Sequence, residues 1–421
     1  MTTKPKKKIF VIADSPLVPS GVGTQTKYMI EALLKTGEYK FLCLAGALKH
    51  NDYRPIKVEP YGEDLIIHPV DGYGNATIVR QVLHQFKPDV LWFMTDPRFF
   101  IWLWQLEDEI RKNVPMVYYH VWDNFPYPYY NKSFYDSNDV ICTISDVTDQ
   151  IVRKVSPDVK CVRIPHTVNT EIFKALPTSK LGTLNEKLNS LSNKMVFFWN
   201  NRNARRKQSG TLIFWFKDFL DKVGHDKAAL IMHTEPKDPN GQDLEVIAER
   251  LGLKSDQIMF STQKMPPEEL AKIYSFVDCT INISDAEGFG LSTLESLACE
   301  TPVIVNMTGG LQEQVTDGQG NWFGIGIEPS SKAVIGSQDV PYIYEDRISR
   351  GDFLKALEDF YNTPKEERLK MGKSGRNHVL TNYGFEQYES NWRELFEYVT
   401  QNLGSWENRK NYQSWELIKD L

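Results

Sequence analysis

Gly288-Phe-Gly290-Leu-Ser-Thr293 is a G-x-G-x-x-T turn flanked by Glu287 and Glu295. It lies between an apolar run and an amphipathic stretch, where a glycine turn lets backbone N–H groups approach a ligand closely. Carboxylates beside such a turn would repel phosphates. They suit hydroxyls better, because an acidic side chain accepts paired hydrogen bonds from a sugar diol. Glu295 has a second reading, since Ser292-Thr-Leu-Glu295 is an S-x-x-E capping box that needs no ligand. A matching turn, Ser20-Gly21-Val-Gly23, follows the first apolar run, and here too a bare strand-to-helix turn is the alternative. The dinucleotide fingerprint G-x-G-x-x-G fails in it at Thr26. The recurrence of one turn in both halves of the chain predicts two ligand-facing edges looking onto one cleft.

A third segment, Asn200-Asn-Arg202-Asn-Ala-Arg205-Arg206-Lys207, carries four positive charges and no acid. Cations placed there can neutralise a diphosphate, and arginine can do so bidentately; a solvated basic turn is the alternative. His120 ends the apolar run Met116–His120 and precedes Val-Trp-Asp123. Ligands of open α/β sheets sit beyond the carboxyl ends of strands, so His120 is a catalytic candidate, with a structural histidine as the competing reading. The aromatics around it (Trp122, Phe125, Tyr127, Tyr129 and Tyr130) could stack on a flat acceptor, although most aromatics are core residues.

Absences narrow the chemistry. There is no phosphate-binding G-x-x-x-x-G-K-[ST]; Gly372-Lys-Ser374 imitates it, but Glu367 stands at the first glycine position. There is no H-E-x-x-H, G-x-S-x-G or D-x-D, and Asp285-Ala-Glu287 is the nearest approach to the last. Stabilisation of a leaving diphosphate would therefore fall to the basic run and helix N-termini, with no metal and no cofactor beyond the co-substrate.

The elements that must position these residues alternate along the chain. Ile9–Ala13, Asp89–Met94, Met116–His120, Val140–Thr143 and Cys161–Ile164 read as buried strands, with helices at Tyr28–Leu34, Ile78–Phe86 and Val147–Val155. The series restarts with strands at Met195–Asn200, Ala228–His233, Gln257–Phe260, Cys279–Ile283 and Val303–Asn306. This predicts an α/β fold of two Rossmann-like parallel-sheet domains. The expected boundaries are 1–165 for an acceptor domain, 166–194 for a linker, 195–384 for a nucleotide-sugar domain, and 385–421 for helices packing back on the first domain.

The chain has 421 residues, 41% hydrophobic and 25% charged, which is globular composition sufficient for two cores. A net charge of −6 argues against a global hold on nucleic acid. The cysteines, Cys43, Cys142, Cys161, Cys279 and Cys299, are scattered and odd in number, which fits free thiols in the cytoplasm. No stretch has the length of a membrane span, and the N-terminal apolar run is too short for a signal-peptide core. Lys6–Lys8 read as a solvated tail, with peripheral contact to anionic lipid as the other reading.

Taken together, Glu287-Gly-Phe-Gly-Leu-Ser-Thr-Leu-Glu295, Cys299-Glu-Thr-Pro-Val-Ile-Val-Asn306, Thr308-Gly-Gly-Leu-Gln-Glu313 and Met371-Gly-Lys-Ser-Gly-Arg376 resemble GT-B-fold retaining glycosyltransferases of family 4, the glycosyl transferases group 1. Arg202 and Lys207 resemble that family's phosphate-binding Arg and Lys, with Asn201 where a glycine is usual. The segment Pro165-His-Thr-Val-Asn-Thr170 resembles its strand-to-linker region, with His166-Thr167 in place of Asn-Gly. The resemblance implies two facing domains and transfer of a hexose from a nucleotide-diphosphate sugar to an acceptor hydroxyl. It implies that Glu287 faces the donor sugar, that Glu295 contacts the donor ribose, and that Arg202 and Lys207 hold the diphosphate. Gly288, Phe289, Gly290 and Leu291 belong to the donor loop, Gly21 and Gly23 would line the cleft from the other domain, and His120 matches a histidine near the donor sugar. A nucleotide-sugar epimerase and a non-catalytic nucleotide-sugar-binding protein of the same fold are the alternatives. The acceptor is left open among a saccharide, a lipid-linked saccharide, a protein side chain, a small metabolite and a modified nucleobase.

Overall fold

A computed structural model describes residues 5–47, 49–182 and 188–414. The chain forms two units. One comprises Met1–His166, Gln338–Val340 and Glu386–Leu421; the other comprises Thr167–Ser337 and Pro341–Phe385.

The first unit is built on eight strands: β1 (Lys7–Asp14), β2 (Tyr39–Gly46), β3 (Ile56–Val58), β4 (Gly62–Pro69), β5 (Val90–Met94), β6 (Met116–His120), β7 (Val140–Thr143) and β8 (Lys160–Arg163). Their order is β3-β4-β2-β1-β5-β6-β7-β8. All neighbours are parallel except the β3–β4 pair. The central strands β5 and β6 are buried along their whole length, as a sheet covered on both faces requires. The sequence reading passed over β2, β3 and β4. In β4 the polar residues Glu63 and Asp64 come first, and burial then alternates over Leu65, Ile67 and Pro69, which makes no continuous buried run.

The C-terminal helix Phe385–Tyr398 supplies Trp392, fully buried and packed edge-on to Trp92 at 5.8 Å and Tyr119 at 4.9 Å. Beyond it, Arg409 forms a buried ion pair with Asp139 at 2.6 Å.

The second unit has a six-stranded, wholly parallel sheet in the order β11-β10-β9-β12-β13-β14. The strands are β9 (Met195–Asn200), β10 (Ala228–His233), β11 (Ile258–Ser261), β12 (Cys279–Asn282), β13 (Val303–Asn306) and β14 (Gly324–Ile327). A separate antiparallel hairpin follows, β15 (Ser331–Ile335) and β16 (Ile343–Arg347). Phe197, Trp199, Phe216, Phe219 and Phe360 lie in its apolar core.

The expected linker, 166–194, falls mostly with the second unit. Residues 183–187 lie outside the described residues, but Thr167 onward counts with the second unit. Val168, Phe173, Leu181, Leu188 and Leu191 are each under 5% exposed, so this stretch is anchored by buried side chains. Pro177 and Gly182 are exposed, and they mark turns in an irregular path pinned at those few apolar side chains. The imitation phosphate loop is also explained. Gly372 and Gly375 lie inside the helix Lys365–Asn382, where a side chain at 372 would overlap the Glu300 carbonyl. The glycines allow close packing on the helix Leu291–Ala298.

Candidate functional site

In the second unit the strand order reverses at β9, which lies between β10 and β12. Open α/β sheets form a ligand crevice beyond the carboxyl ends of the strands at such a point. The loops after β9 and β12 meet there. Lys207 is ion-paired with Glu287, their side chains only 9% and 12% exposed. Arg206 donates to the Ala286 carbonyl at 2.6 Å, and the Asp285 N–H donates back to the Arg206 carbonyl at 2.8 Å. Burial pushes the Glu287 carboxyl up, but the charges of Lys207 and Arg206 outweigh it and hold it below the usual carboxylate range. Glu287 is therefore a carboxylate at neutral pH.

The loop after β13 closes against the same turn. Gly310 N–H donates to the Glu287 carbonyl at 3.1 Å, and the Gln314 amide donates to the Phe289 carbonyl at 2.7 Å. Gly290 sits at φ +93°, and a side chain there would lie 2.5 Å from a Leu311 methyl and 2.9 Å from the Thr293 hydroxyl. Only glycine meets both demands. Gly288 and Leu291 are partly exposed in this turn, whereas Phe289 is 3% exposed and packs on Tyr383 at 5.7 Å. Phe289 anchors the turn, and only its backbone is left to meet a ligand.

The capping-box reading of Glu295 fails. The helix Leu291–Ala298 takes Gly290 as its N-cap, so Ser292 is already inside the helix. Glu295 instead accepts from the Tyr274 hydroxyl at 2.9 Å, and the Asn200 amide at the end of β9 donates to that same hydroxyl at 2.9 Å. Burial pushes the Glu295 carboxyl up to about 7, with Tyr274 opposing. Tyr274, on the helix Pro267–Phe276, was invisible in the sequence because its partners lie 74 and 21 residues away. Asn201, which departs from the family's glycine, has a buried amide nitrogen with no partner among the described residues.

Arg202 is not brought to Lys207. It is 66% exposed and pairs with Asp238 at 2.6 Å on the loop after β10, holding that carboxyl well below the usual range. The basic run thus divides: Arg202 turns outward, while Arg206 and Lys207 turn to the loop 285–287.

In the first unit, Ser20 caps the helix Gly21–Leu34. It accepts from the Gly23 N–H at 2.9 Å and donates to Asp14 at 2.6 Å. This cap starts the helix at Gly21 rather than at the expected Tyr28. Gly21 is exposed at the carboxyl edge of β1, and Gly23 is buried where a side chain would lie 2.7 Å from the Ser15 and Val18 carbonyls. His120 is fully buried, with Nδ1 3.0 Å from the Tyr118 hydroxyl and Nε2 2.7 Å from the Tyr135 hydroxyl. Burial drives its pKa down to about 3, so it is a neutral core imidazole. The tyrosines occupy both ring nitrogens, and the structure offers no open face for the catalytic role expected of it.

Residues 183–378 match the family described as "Glycosyl transferases group 1". The match covers a little under half of the chain. The D-inositol 3-phosphate glycosyltransferase of Corynebacterium jeikeium (strain K411) is 33% identical over 135 residues, which is 31% of this chain and 32% of that protein. The chain thus aligns with about a third of that curated relative's length. Sucrose-phosphate synthase from Thermosynechococcus elongatus superposes with a TM-score of 0.74 at 18% identity, covering 94% of this chain and 100% of that one. Anabaena HepE, solved in complex with UDP and glucose, gives a TM-score of 0.68 at 14% identity, covering 93% and 99%. These likenesses establish the GT-B glycosyltransferase fold. No helix among the described residues is long and apolar enough to cross a membrane.

Proposed function

We propose that the protein transfers a hexose from a nucleotide-diphosphate sugar to an acceptor hydroxyl, with retention of configuration and without a bound metal ion. The observation that carries this reading is the Lys207–Glu287 pair at the reversal point of the second sheet, walled by the glycine turn 288–290. A donor diphosphate would replace Glu287 as the counter-charge of Lys207. Its negative charge, growing as the sugar leaves, would be met by Lys207, Arg206 and the amides that open the helix Leu291–Ala298. Glu287, released from the lysine and ionised, would face the sugar hydroxyls or the reacting carbon. Glu295, backed by Tyr274, would accept from the ribose diol. The matches with group 1 transferases, and the UDP in the HepE structure, support this assignment. All five cysteines are free thiols, which supports the cytoplasm as the site of action.

The test has two stages. A thermal-shift screen with the diphosphates of uridine, guanosine and adenosine and their sugars should show stabilisation by one base series. Donor turnover should then collapse in both Lys207→Ala and Glu287→Ala. Near-unchanged turnover in both variants would overturn the assignment.

A further inference from the structure

The hairpin β15–β16 belongs to neither Rossmann-like sheet, yet its second strand is tied to the loops of the candidate site. Glu345 is 1% exposed and receives both terminal nitrogens of Arg205, at 2.8 and 2.5 Å. Arg347 reaches the same carboxylate at 2.8 Å and Asp285 at 3.1 Å. The Asp346 N–H donates to the Asp285 carbonyl at 2.8 Å, and its carboxylate accepts from Thr308 at 2.7 Å. The Asn306 amide donates to the Asp346 carbonyl at 2.9 Å and to the Ser284 carbonyl at 2.8 Å. Three consecutive hairpin residues thus hold the loops after β9, β12 and β13 together.

We propose that this hairpin is a positioning element for the donor site. In it Glu345, through Arg205 and through Arg347 on Asp285, fixes the loop that presents Arg206 and Lys207. The inference rests on the donor-site reading given above. Its physical basis is an asymmetry. A carboxylate buried between two guanidiniums neutralises charge that would attract a diphosphate, so it lowers the raw attraction of the site for anions. Its contribution is geometric: Arg205 and Arg347 are 55% and 35% exposed, and a bidentate partner holds such side chains and their loops in one arrangement.

The two effects have opposite signs, which makes the idea testable. In Glu345→Gln one negative charge is removed at constant shape. The full chain and its variants would be titrated calorimetrically with UDP, GDP and ADP, and melting temperatures taken alongside. Positioning predicts that the dissociation constant for the nucleotide bound by wild type rises about tenfold, the scale on which supporting partners act. Arg205→Gln should weaken binding similarly, and the double variant should be no worse than either single one. Arg205 is more than half exposed, so Arg205→Lys, which keeps the charge and loses the bidentate pairing, carries the test should Glu345→Gln not fold: positioning predicts weaker binding, and unchanged binding overturns it. Tighter or unchanged nucleotide binding in folded Glu345→Gln or Arg205→Gln overturns the proposal, as do additive effects or a lowered melting temperature with an unchanged dissociation constant. If wild type binds no nucleotide, the donor-site reading itself falls. If wild type binds, Lys207→Ala does not and Glu345→Gln binds as wild type does, only the hairpin's role falls.

Discussion

The two units carry the same G-x-G-x-x-T turn at the same place, the carboxyl edge of a central strand, and use it differently. After β1 the helix is closed by its own sequence. Ser20 takes the Gly23 N–H, Asp14 takes the Ser20 hydroxyl, and Tyr73 donates to Asp14 at 2.7 Å. After β12 the helix N-cap is Gly290, and no side chain caps it among the described residues. Its first amides remain available to an anion, and a lysine stands near the turn, paired to Glu287. One short motif is therefore capped by its own sequence in one unit and left without a side-chain cap in the other. The difference lies in the residue before the helix and in a cation from another loop, not in the glycines.

The largest expected effect follows from that cation. Lys207→Ala should lower kcat/KM for donor transfer by about 10²–10³-fold, as loss of one preorganised donor to a developing oxyanion does. It should also destabilise the ligand-free protein by about 3–5 kcal/mol, because Glu287 is left as a buried, unpaired carboxylate. A Lys207→Met, Glu287→Leu double variant separates the two losses. Urea unfolding should show its stability largely restored while transfer stays absent. Recovery of transfer in the double variant would break the contrast between the units.

Next in size is Gly290→Ala. The added methyl would meet Leu311 and Thr293 at a backbone angle that L-residues avoid. Nucleotide binding should weaken by about tenfold or more, for a strain of about 1–3 kcal/mol. At the matching joint, Ser20→Ala should cost about 1 kcal/mol of stability, the usual value of a cap, and leave nucleotide binding by the folded protein unchanged. A calorimetric titration of both variants checks the pair. Equal effects on binding would mean that the turns are not different in kind.

How much of this was legible in the sequence follows the range of the interactions. The glycine turns, the basic run and the alternation of strand with helix are local, so spacing alone revealed them. Glu295 could not be assigned from spacing, because Ser292 and the glycines competed as the helix start and only the fold shows that Gly290 wins. Tyr274 and Glu345 act through partners 21 and 140 residues away, and no periodicity marks them. His120 is the opposite case. It ends a strand, as a ligand-facing residue should, but Tyr118 and Tyr135 bury it from either side. His120→Phe should therefore cost about 1–3 kcal/mol through the loss of its hydrogen bonds with the two buried tyrosine hydroxyls. Donor turnover per folded molecule should stay near wild type, measured after correcting for the folded fraction; a collapse of turnover in a stable protein would return His120 to the chemistry.

The last effect is one of pH and concerns Glu295. Its carboxyl is raised by burial to about 7, against an ordinary value near 4.5. A folded-state value above the unfolded one means that the native protein holds the proton more tightly. That contribution to stability is fully present below about pH 4.5 and is lost as pH rises through 7. Glu295→Gln is permanently neutral and should escape the loss. The variant should gain in melting temperature relative to wild type between pH 5 and 8, with most of the gain lying below and around 7, where wild-type Glu295 becomes charged. The gain is confined to ligand-free protein. If Glu295 takes the ribose diol, its anion is the better acceptor, so nucleotide binding by wild type should strengthen over the same interval while binding by Glu295→Gln stays flat. If a pH dependence survives in Glu295→Gln, Asp285, raised by burial to about 6, is the group to replace next.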